Sequence, residues 1–292
     1  MVCQSSDRYN ASMSNTIRLP IVSGTFYPNQ PDRLRQLLNT LLGNDAALPG
    51  RSLPSSLGLV LPHAGYIYSG SVAAAGYLEA ARFGRPDVVV ILGASHTGVG
   101  PWFALAPHSH WQTPLGRSPV DLDMIAQLRG EGFTTEAASF EREHSIEVQL
   151  PFIQYLWGVA PTIVPVCVAP APLAGVYEAA RALSKLLEDR HALLIASSDF
   201  THFEADSRAR AADAAAMNRI LALDVPGFHS LCREQQLTIC GATSIEVLMA
   251  TASNSHWSAT RIVDYTTSAD VTGDRSSVVG YACLAMTKEN YG

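Results

Sequence analysis

Three short apolar segments of this 292-residue chain each end a few residues before a histidine. Residues 57–61, 87–92 and 192–196 precede His63, His96 and His202 in this way. Continuous apolar runs of this length, closed by Pro, Gly or Ser, are typical of buried parallel strands. In open α/β sheets, ligands bind at the carboxyl edge of the strands. The repeated arrangement therefore predicts three imidazoles that converge at one edge of one sheet.

The rest of the chain alternates helical and strand patterns. Leucines at three- and four-residue steps predict a helix at Pro31–Leu42. Further helices are expected at residues 71–82, 122–128, 174–187, 208–223 and 228–234, and further strands at 162–168, 261–265 and 277–286. Because no linker separates these patterns, they predict a single layered α/β domain over residues 17–292. The polar residues 1–16 are expected to form a disordered tail.

Composition excludes several classes of protein. A hydrophobic content of 47% is enough for a large core, and a net charge of -6 argues against nucleic-acid binding. No apolar run approaches the ~20 residues of a membrane span, and residues 1–15 lack the apolar core of a secretory signal. Five scattered cysteines are too few for a disulfide framework. We therefore expect no nucleic-acid or membrane partner, and a cytoplasmic protein with reduced thiols.

Converging histidines can hold a transition metal, because imidazole nitrogens bind zinc, copper, iron and nickel well. A thiolate from Cys240, in the segment LTICGA (237–242), would complete a site for copper, zinc or iron, although a lone cysteine is also an ordinary core residue. Asp199 lies three residues before His202, so one side chain can orient the other or both can reach the site. His144 fits either a site residue or a helix start.

Seven segments together resemble the Memo-like family, whose prokaryotic members are called AmmeMemoRadiSam system protein B. In chain order they are SGTFYP (23–28), LPHAGYIYSG (61–70), GASHTG (93–98), EHSIEVQLPFIQYL (143–156), SSDFTH (197–202), TICG (238–241) and TSAD (267–270). The segments occur in the family's order and span nearly the whole chain from residue 17.

The resemblance implies a fold similar to the class III extradiol ring-cleaving dioxygenases, with a central mixed sheet flanked by helices. It assigns the metal ligands to His63, His96 and Cys240, and it places Asp199 and His202 beside the metal. Those dioxygenases carry non-haem iron(II), a carboxylate as third ligand, and an acid/base histidine similar in place to His202. Because a thiol replaces the carboxylate here, iron or copper binding with redox chemistry is implied more strongly than ring cleavage.

Three functions fit these residues. The first is a metal-dependent oxidoreductase with dioxygenase-like chemistry, in which the three ligands bind iron(II) or copper, or else zinc. His202 and Asp199 would then handle protons, and His144 would contact the substrate or support a ligand. The second is a metal-dependent hydrolase with His202 as base. The third is a non-catalytic adaptor whose cleft binds a peptide or small molecule. The family name also suggests a radical-enzyme partner.

Overall fold

The computed structural model describes residues 16–43, 56–158 and 161–288. The strands within these ranges are β1 (Ile17–Arg18), β2 (Leu57–Leu61), β3 (Val88–Ala94), β4 (Phe103–Leu105), β5 (His110–Thr113), β6 (Gly116–Pro119), β7 (Thr134–Thr135), β8 (Thr162–Val168), β9 (Ala192–Ser197), β10 (His202–Glu204), β11 (Ala259–Thr267) and β12 (Val278–Thr287). The α-helices are α1 (Pro31–Leu42), α2 (Tyr66–Arg82), α3 (Leu122–Leu128), α4 (Leu150–Trp157), α5 (Leu173–Leu187), α6 (Asp206–Leu221), α7 (Val225–Glu234), α8 (Ala242–Asn254) and α9 (Ala269–Thr272).

The central sheet is mixed. Its middle consists of parallel strands in the order β2, β9, β3, β8. Antiparallel strands flank this group, with β12 beside β2 and β4 beside β8. Strands β10 and β11 pair with β12, β7 pairs with β4, and a separate small sheet joins β1, β5 and β6. Every residue of β2, β3 and β9 is buried, which explains why their sequences are apolar without alternation.

Helices cover both faces of the central sheet. A Cβ placed on Gly58 of β2 would lie 2.7 Å from Leu248 of α8, so this glycine makes room for that helix. A Cβ on Gly76 of α2 would lie 2.4 Å from Leu61 of β2. Positions 58 and 61 differ by an odd number, so their side chains point to opposite faces of the sheet. The predicted layered fold, a central mixed sheet flanked by helices, is confirmed.

The predicted helices and strands occur close to their expected positions, with one informative difference. Helix α2 begins at Tyr66, before the predicted start at residue 71. The extended backbone of Gly65 precedes it, and the Gly65 carbonyl accepts the N–H groups of Tyr68 and Ser69. Both tyrosines of the segment that follows His63 therefore belong to the first turn of a helix rather than to a loop.

One prediction concerns a segment that lies mainly outside the described residues, namely the tail at 1–16. At the described end of the tail, the Thr16 carbonyl accepts the backbone N–H of Ser109. In the described part of the chain, none of the helices combines the length and apolar character that a bilayer crossing requires. The four cysteines described there are free thiols, as expected. A cytoplasmic location stays a prediction.

Candidate metal centre

The carboxyl edge of the parallel strands brings polar side chains to one level. His63, His96 and Asp199 each lie two residues beyond the end of their strand, which is β2, β3 and β9, respectively. The last residues of β2 and β9, Leu61 and Ser197, pair directly in the sheet. The ring centroids of His63 and His96 are 5.1 Å apart, and the two ring planes are perpendicular.

His63 is buried, and a single hydroxyl fixes its tautomer. Its Nδ1 lies 3.0 Å from the hydroxyl oxygen of Ser197. That hydroxyl donates its only proton to the carbonyl of Ser145 and accepts a hydrogen bond from the amide of Gln149. Nδ1 of His63 must therefore be the donor, which leaves a lone pair on Nε2. Burial, together with repulsion from the charge of His96, lowers the pKa of His63 to about 3, so the ring is neutral at neutral pH.

A buried carboxylate, Glu143, fixes the second imidazole in the same way. It accepts Nδ1–H of His96 at 2.9 Å, and the backbone N–H groups of His96, His144 and Ser145 at 2.8 Å each. Burial alone would raise the pKa of Glu143, but the hydrogen bonds and charge of His96 lower it to about 2. Since an ionised carboxylate only accepts, Nδ1 of His96 carries a proton, and the neutral form of the ring has its lone pair on Nε2. Burial acts to lower the pKa of His96, but the hydrogen bond and charge of Glu143 raise it.

Cys240 arrives at the same point from the loop that precedes α8. Its Sγ lies 3.2 Å from Nε2 of His63 and 3.2 Å from the backbone nitrogen of Asp199, which donates to it. Burial raises the pKa of the Cys240 thiol, so a bound cation is needed to hold it as a thiolate at neutral pH. The loop approaches β9 closely because residue 241 is glycine, where a Cβ would lie 2.6 Å from the carbonyl oxygen of Ser197.

These residues form a group that can hold a metal ion. One ligand atom from each of His63, His96 and Cys240 lies within 4.8 Å of the others. Ligand atoms of His96, Glu143 and His144 also lie within 4.8 Å of one another, but N–H donors already occupy the carboxylate of Glu143. The first group therefore fits a metal better. The side chain of His96 is 33% exposed, so the group is open to solvent on that side.

Two further residues that the sequence identified, His144 and Asp199, lie against this group. The ring of His144 stacks on His96 with a centroid distance of 4.6 Å, and it also lies against the rings of Phe26 at 4.8 Å and His63 at 5.4 Å. Burial and the charge of His63 lower the pKa of His144 to about 4. Asp199 accepts the backbone N–H of His63 at 2.8 Å, and burial raises its pKa. The sequence left His144 as either a residue of the site or a histidine at the start of a helix, and this geometry favours a residue of the site.

His202 is held by Thr238 rather than by Asp199. Its Nδ1 lies 2.8 Å from the Thr238 carbonyl oxygen, and its backbone N–H donates to the Thr238 hydroxyl at 2.7 Å. Because a carbonyl only accepts, Nδ1 carries the proton and Nε2 has the lone pair. The expectation that Asp199 orients His202 is corrected by these bonds. The two side chains still interact, since the charge of His202 acts to lower the pKa of Asp199.

Glu143 and Ser197 are the functional residues that sequence reasoning missed. Both lie in segments it singled out, at 143–156 and 197–202, but neither was identified as a site residue. A carboxylate directly before the candidate His144 was an available signal for Glu143. Nothing local connects Ser197 with His63, since the two are 134 positions apart.

Comparison with known proteins agrees with the resemblance. Residues 18–285 match the family described as "Memo-like protein". A MEMO1 family protein from Thermotoga neapolitana is 39% identical over 282 residues, which cover 93% of this chain and 100% of the relative. A MEMO1 family protein from Nitrosopumilus maritimus is 34% identical over 273 residues, which cover 92% of this chain and 98% of the relative.

A solved structure resembles the fold. The crystal structure of the uncharacterized protein JW3007 from Escherichia coli K12 matches with a TM-score of 0.51 and 13% sequence identity, over 78% of this chain and 98% of that chain. At this identity the likeness concerns the fold alone. The family match, by contrast, covers most of the chain, and the relatives exceed 30% identity over nearly their full length. The chain therefore belongs to the Memo-like family, as its seven segments predicted.

Proposed function

We propose that His63, His96 and Cys240 bind one iron(II) or copper ion, and that the protein has a redox role at this centre. Zinc is the alternative metal. The observation that supports the proposal most is the pair of fixed tautomers. Protein acceptors occupy Nδ1 of both rings, so two Nε2 lone pairs are available beside a thiol. Two imidazoles and a thiolate suit copper and iron, and three protein ligands leave room for a further small ligand.

Each protein group has a distinct task in this proposal. An ion held by His63, His96 and Cys240 would supply redox chemistry. Ser197 and Glu143 keep the two imidazoles in the ligating tautomer and orientation. The backbone N–H of Asp199 donates to Sγ of Cys240 and so favours the thiolate.

His202 is the proposed proton carrier. It is half-buried, and the Thr238 carbonyl holds its Nδ1–H, so Nε2 is the nitrogen that can take or give a proton. It lies close enough to His63 for its charge to contribute to the lowered pKa of that ring. Asp199, whose pKa is raised by burial, is a second group that can hold a proton beside the centre.

A second candidate is a binding role for the same cleft, without catalysis. Two large apolar side chains close in sequence to these histidines are exposed: Ile67 (71% exposed), four residues after His63, and Phe203 (77% exposed), directly after His202. Phe203 also has a φ of 62°, which is uncommon for an aromatic residue and costs backbone energy. Exposed apolar side chains at the rim of a polar cleft favour a peptide or small-molecule ligand.

The first test is anaerobic metal analysis of the purified protein and of two variants, Cys240→Ser and His63→Ala. We expect about one iron or copper ion per chain, and its loss or marked weakening in both variants, because each removes a ligand. Cys232→Ser is the matched control, since it removes a half-buried thiol outside the metal group. His202→Ala should keep full metal occupancy, because His202 is assigned to proton transfer.

The contrary outcome would be equal metal content in all of these proteins, or none in any of them after loading with iron(II) and copper.

A second experiment with nitric oxide or azide separates the two candidate functions. An open redox centre should bind these ligands at the metal and change its spectrum. A peptide-binding cleft should keep its ligand affinity after the metal has been removed.

A further inference from the structure

Gln149 is a buried polar residue to which the proposed function gives no task. It directly precedes α4 and is 1% exposed. Its side-chain nitrogen donates to the carbonyl of Pro62 at 3.0 Å and to the hydroxyl of Ser197 at 2.9 Å. Its side-chain oxygen accepts the hydroxyl of Tyr77, on α2, at 3.0 Å. A buried amide costs free energy unless its hydrogen bonds are made, so these three bonds to three distant segments fix the side chain.

The direction of each of these bonds follows from the partners. The Pro62 carbonyl only accepts, so the side-chain atom beside it is the NH₂ nitrogen of Gln149 and not its oxygen. The second N–H of the same nitrogen then donates to Ser197. The hydroxyl of Tyr77 faces two acceptors, the side-chain oxygen of Gln149 and the main-chain carbonyl of the same residue at 3.2 Å. The amide therefore has a single orientation.

Both groups that receive the N–H bonds of Gln149 hold His63. Pro62 precedes His63, so Gln149 fixes the carbonyl of the peptide that links these two residues. Asp199 accepts the N–H of that peptide at 2.8 Å. Ser197 accepts Nδ1–H of the ring at 3.0 Å. One amide group thus bonds both to the backbone beside His63 and to the acceptor of its ring.

We propose that Gln149 is a positioning residue of the metal centre, which holds the Ser197 hydroxyl where His63 needs an acceptor and so keeps Nε2 free for the metal. The competing acceptor is Cys240, whose Sγ lies 3.2 Å from Nε2 of His63. When Ser197 turns away, the buried ring regains a hydrogen bond by carrying its proton on Nε2 instead of Nδ1, and the ligating lone pair is lost. The proposal rests on the proposed metal function, because it assigns Gln149 a role in forming that centre.

The test replaces Gln149 with Met, which has a similar length but no N–H donor and only a weak acceptor. Gln154→Met is the matched control. Gln154 is also buried, and its amide likewise donates to a carbonyl, that of Gly116, and to a serine hydroxyl, that of Ser118. Both variants therefore lose the same kinds of buried bond, and thermal unfolding should show a loss of stability in both. A purely structural role of Gln149 would produce only this loss.

The first readout is the tautomer of His63 in the metal-free proteins. ¹⁵N NMR distinguishes the protonated nitrogen of an imidazole from the unprotonated one, and His63→Ala identifies the signals of this ring. We expect Nδ1–H alone in the natural protein and in Gln154→Met, and a mixture of Nδ1–H and Nε2–H in Gln149→Met. This readout involves no metal.

The second readout is titration with iron(II) and with copper. Gln149→Met should bind the metal at least about tenfold more weakly than Gln154→Met, as for other residues that support a metal ligand. Nδ1–H alone in Gln149→Met, or equal metal affinity of the two variants, would overturn the proposal. A changed tautomer in a protein that binds no metal in any form would refute the metal function, and it would still support the role of Gln149 in holding His63.

A second pair of variants serves if Gln149→Met does not fold. Tyr77→Phe removes the hydroxyl that bonds to the Gln149 oxygen, so the amide is held less firmly. Tyr66→Phe is its control, because the hydroxyl of Tyr66, on the same helix, bonds to the carbonyl of Val148 instead. We expect some Nε2–H form of His63 in Tyr77→Phe and none in Tyr66→Phe. The same tautomer in both variants would overturn the proposal.

Discussion

At the scale of single residues, the capacity of the candidate centre to hold a metal depends on where each imidazole carries its proton. The three rings of His63, His96 and His202 are held in one tautomer by three different acceptors: a serine hydroxyl, a carboxylate and a backbone carbonyl. In each ring Nδ1–H is occupied and Nε2 has the lone pair. An imidazole in solution exchanges freely between its two tautomers, so the fold and not the side chain selects the ligating form.

Ser197→Ala tests this selection at the deepest ring. The change removes the acceptor of the His63 Nδ1–H while the imidazole itself remains. We expect metal affinity to fall about 10- to 100-fold, as for other residues that support a metal ligand. Competitive titration with a chromophoric chelator measures it. Ser244→Ala is the control, since it removes a buried hydroxyl that has no partner in the described structure. Equal affinity of the two variants would show that the serine does not set the tautomer.

At the scale of elements, the position of the thiol depends on how closely α8 approaches β9. In Gly241→Ala the new Cβ would lie 2.6 Å from a backbone oxygen of β9, which is too close for a carbon atom. The loop must shift, so we expect weaker metal binding in a protein that remains folded. Gly65→Ala, also beside the site, places its Cβ no closer than 3.7 Å to other atoms and serves as the control. Isothermal titration with metal compares them, and equal affinities would contradict the argument.

A carboxylate at the start of α6 joins this helix to β11 and to the loop before β12, and it makes stability depend on pH. Asp206 accepts hydrogen bonds from Thr267 of β11 at 2.7 Å and from Arg210 at 3.0 Å, and it pairs with Arg275. The bond from Thr267, followed by the two arginines, lowers the pKa of Asp206. Since the folded pKa lies below the unfolded one, the stabilisation is present above the unfolded pKa, near 4, and is lost as the pH falls through the folded pKa.

We therefore expect Asp206→Asn to have a lower Tm than the natural protein at pH 7. The difference between the two proteins should shrink as the pH is lowered from about 5 to 3, because Asp206 becomes protonated in the natural protein. Differential scanning calorimetry over this pH range measures it. The exposed Asp123→Asn is the matched control. A Tm difference that stays constant over the range would rule out this origin.

At the scale of the whole molecule, a metal bound only by the folded chain must stabilise that chain. The proposed ligands come from three distant parts of the sequence, and His63 and Cys240 are 177 positions apart, so an unfolded chain does not present them together. A metal concentration of 100 times Kd should add about 2.7 kcal/mol to the free energy of unfolding. We expect calorimetry to show a higher Tm with metal, and no increase in His63→Ala. The same increase in both proteins would place the metal elsewhere.

The sequence by itself predicted the elements and the residues of the candidate metal centre. Apolar runs and leucine spacing are local properties, so they predicted β2, β3, β9 and α1 correctly. The seven family segments predicted the family, and with it the central mixed sheet. His63, His96 and Cys240 were identified because strand ends and a family segment mark them. Helix α2 was predicted to start too late because the turn at Gly65 was not recognised.

Only the tertiary structure decided how these residues work together. The order β2, β9, β3, β8 and its register bring the ends of distant segments to one level. The partners that fix the protons, Ser197 and Glu143, are 134 and 47 positions from their histidines, and Thr238 replaces the expected partner of His202. The physical reason is range: propensity and hydrophobic pattern act within about ten residues along the chain, whereas a hydrogen bond depends on distances of about 3 Å between atoms that only the packed fold brings together.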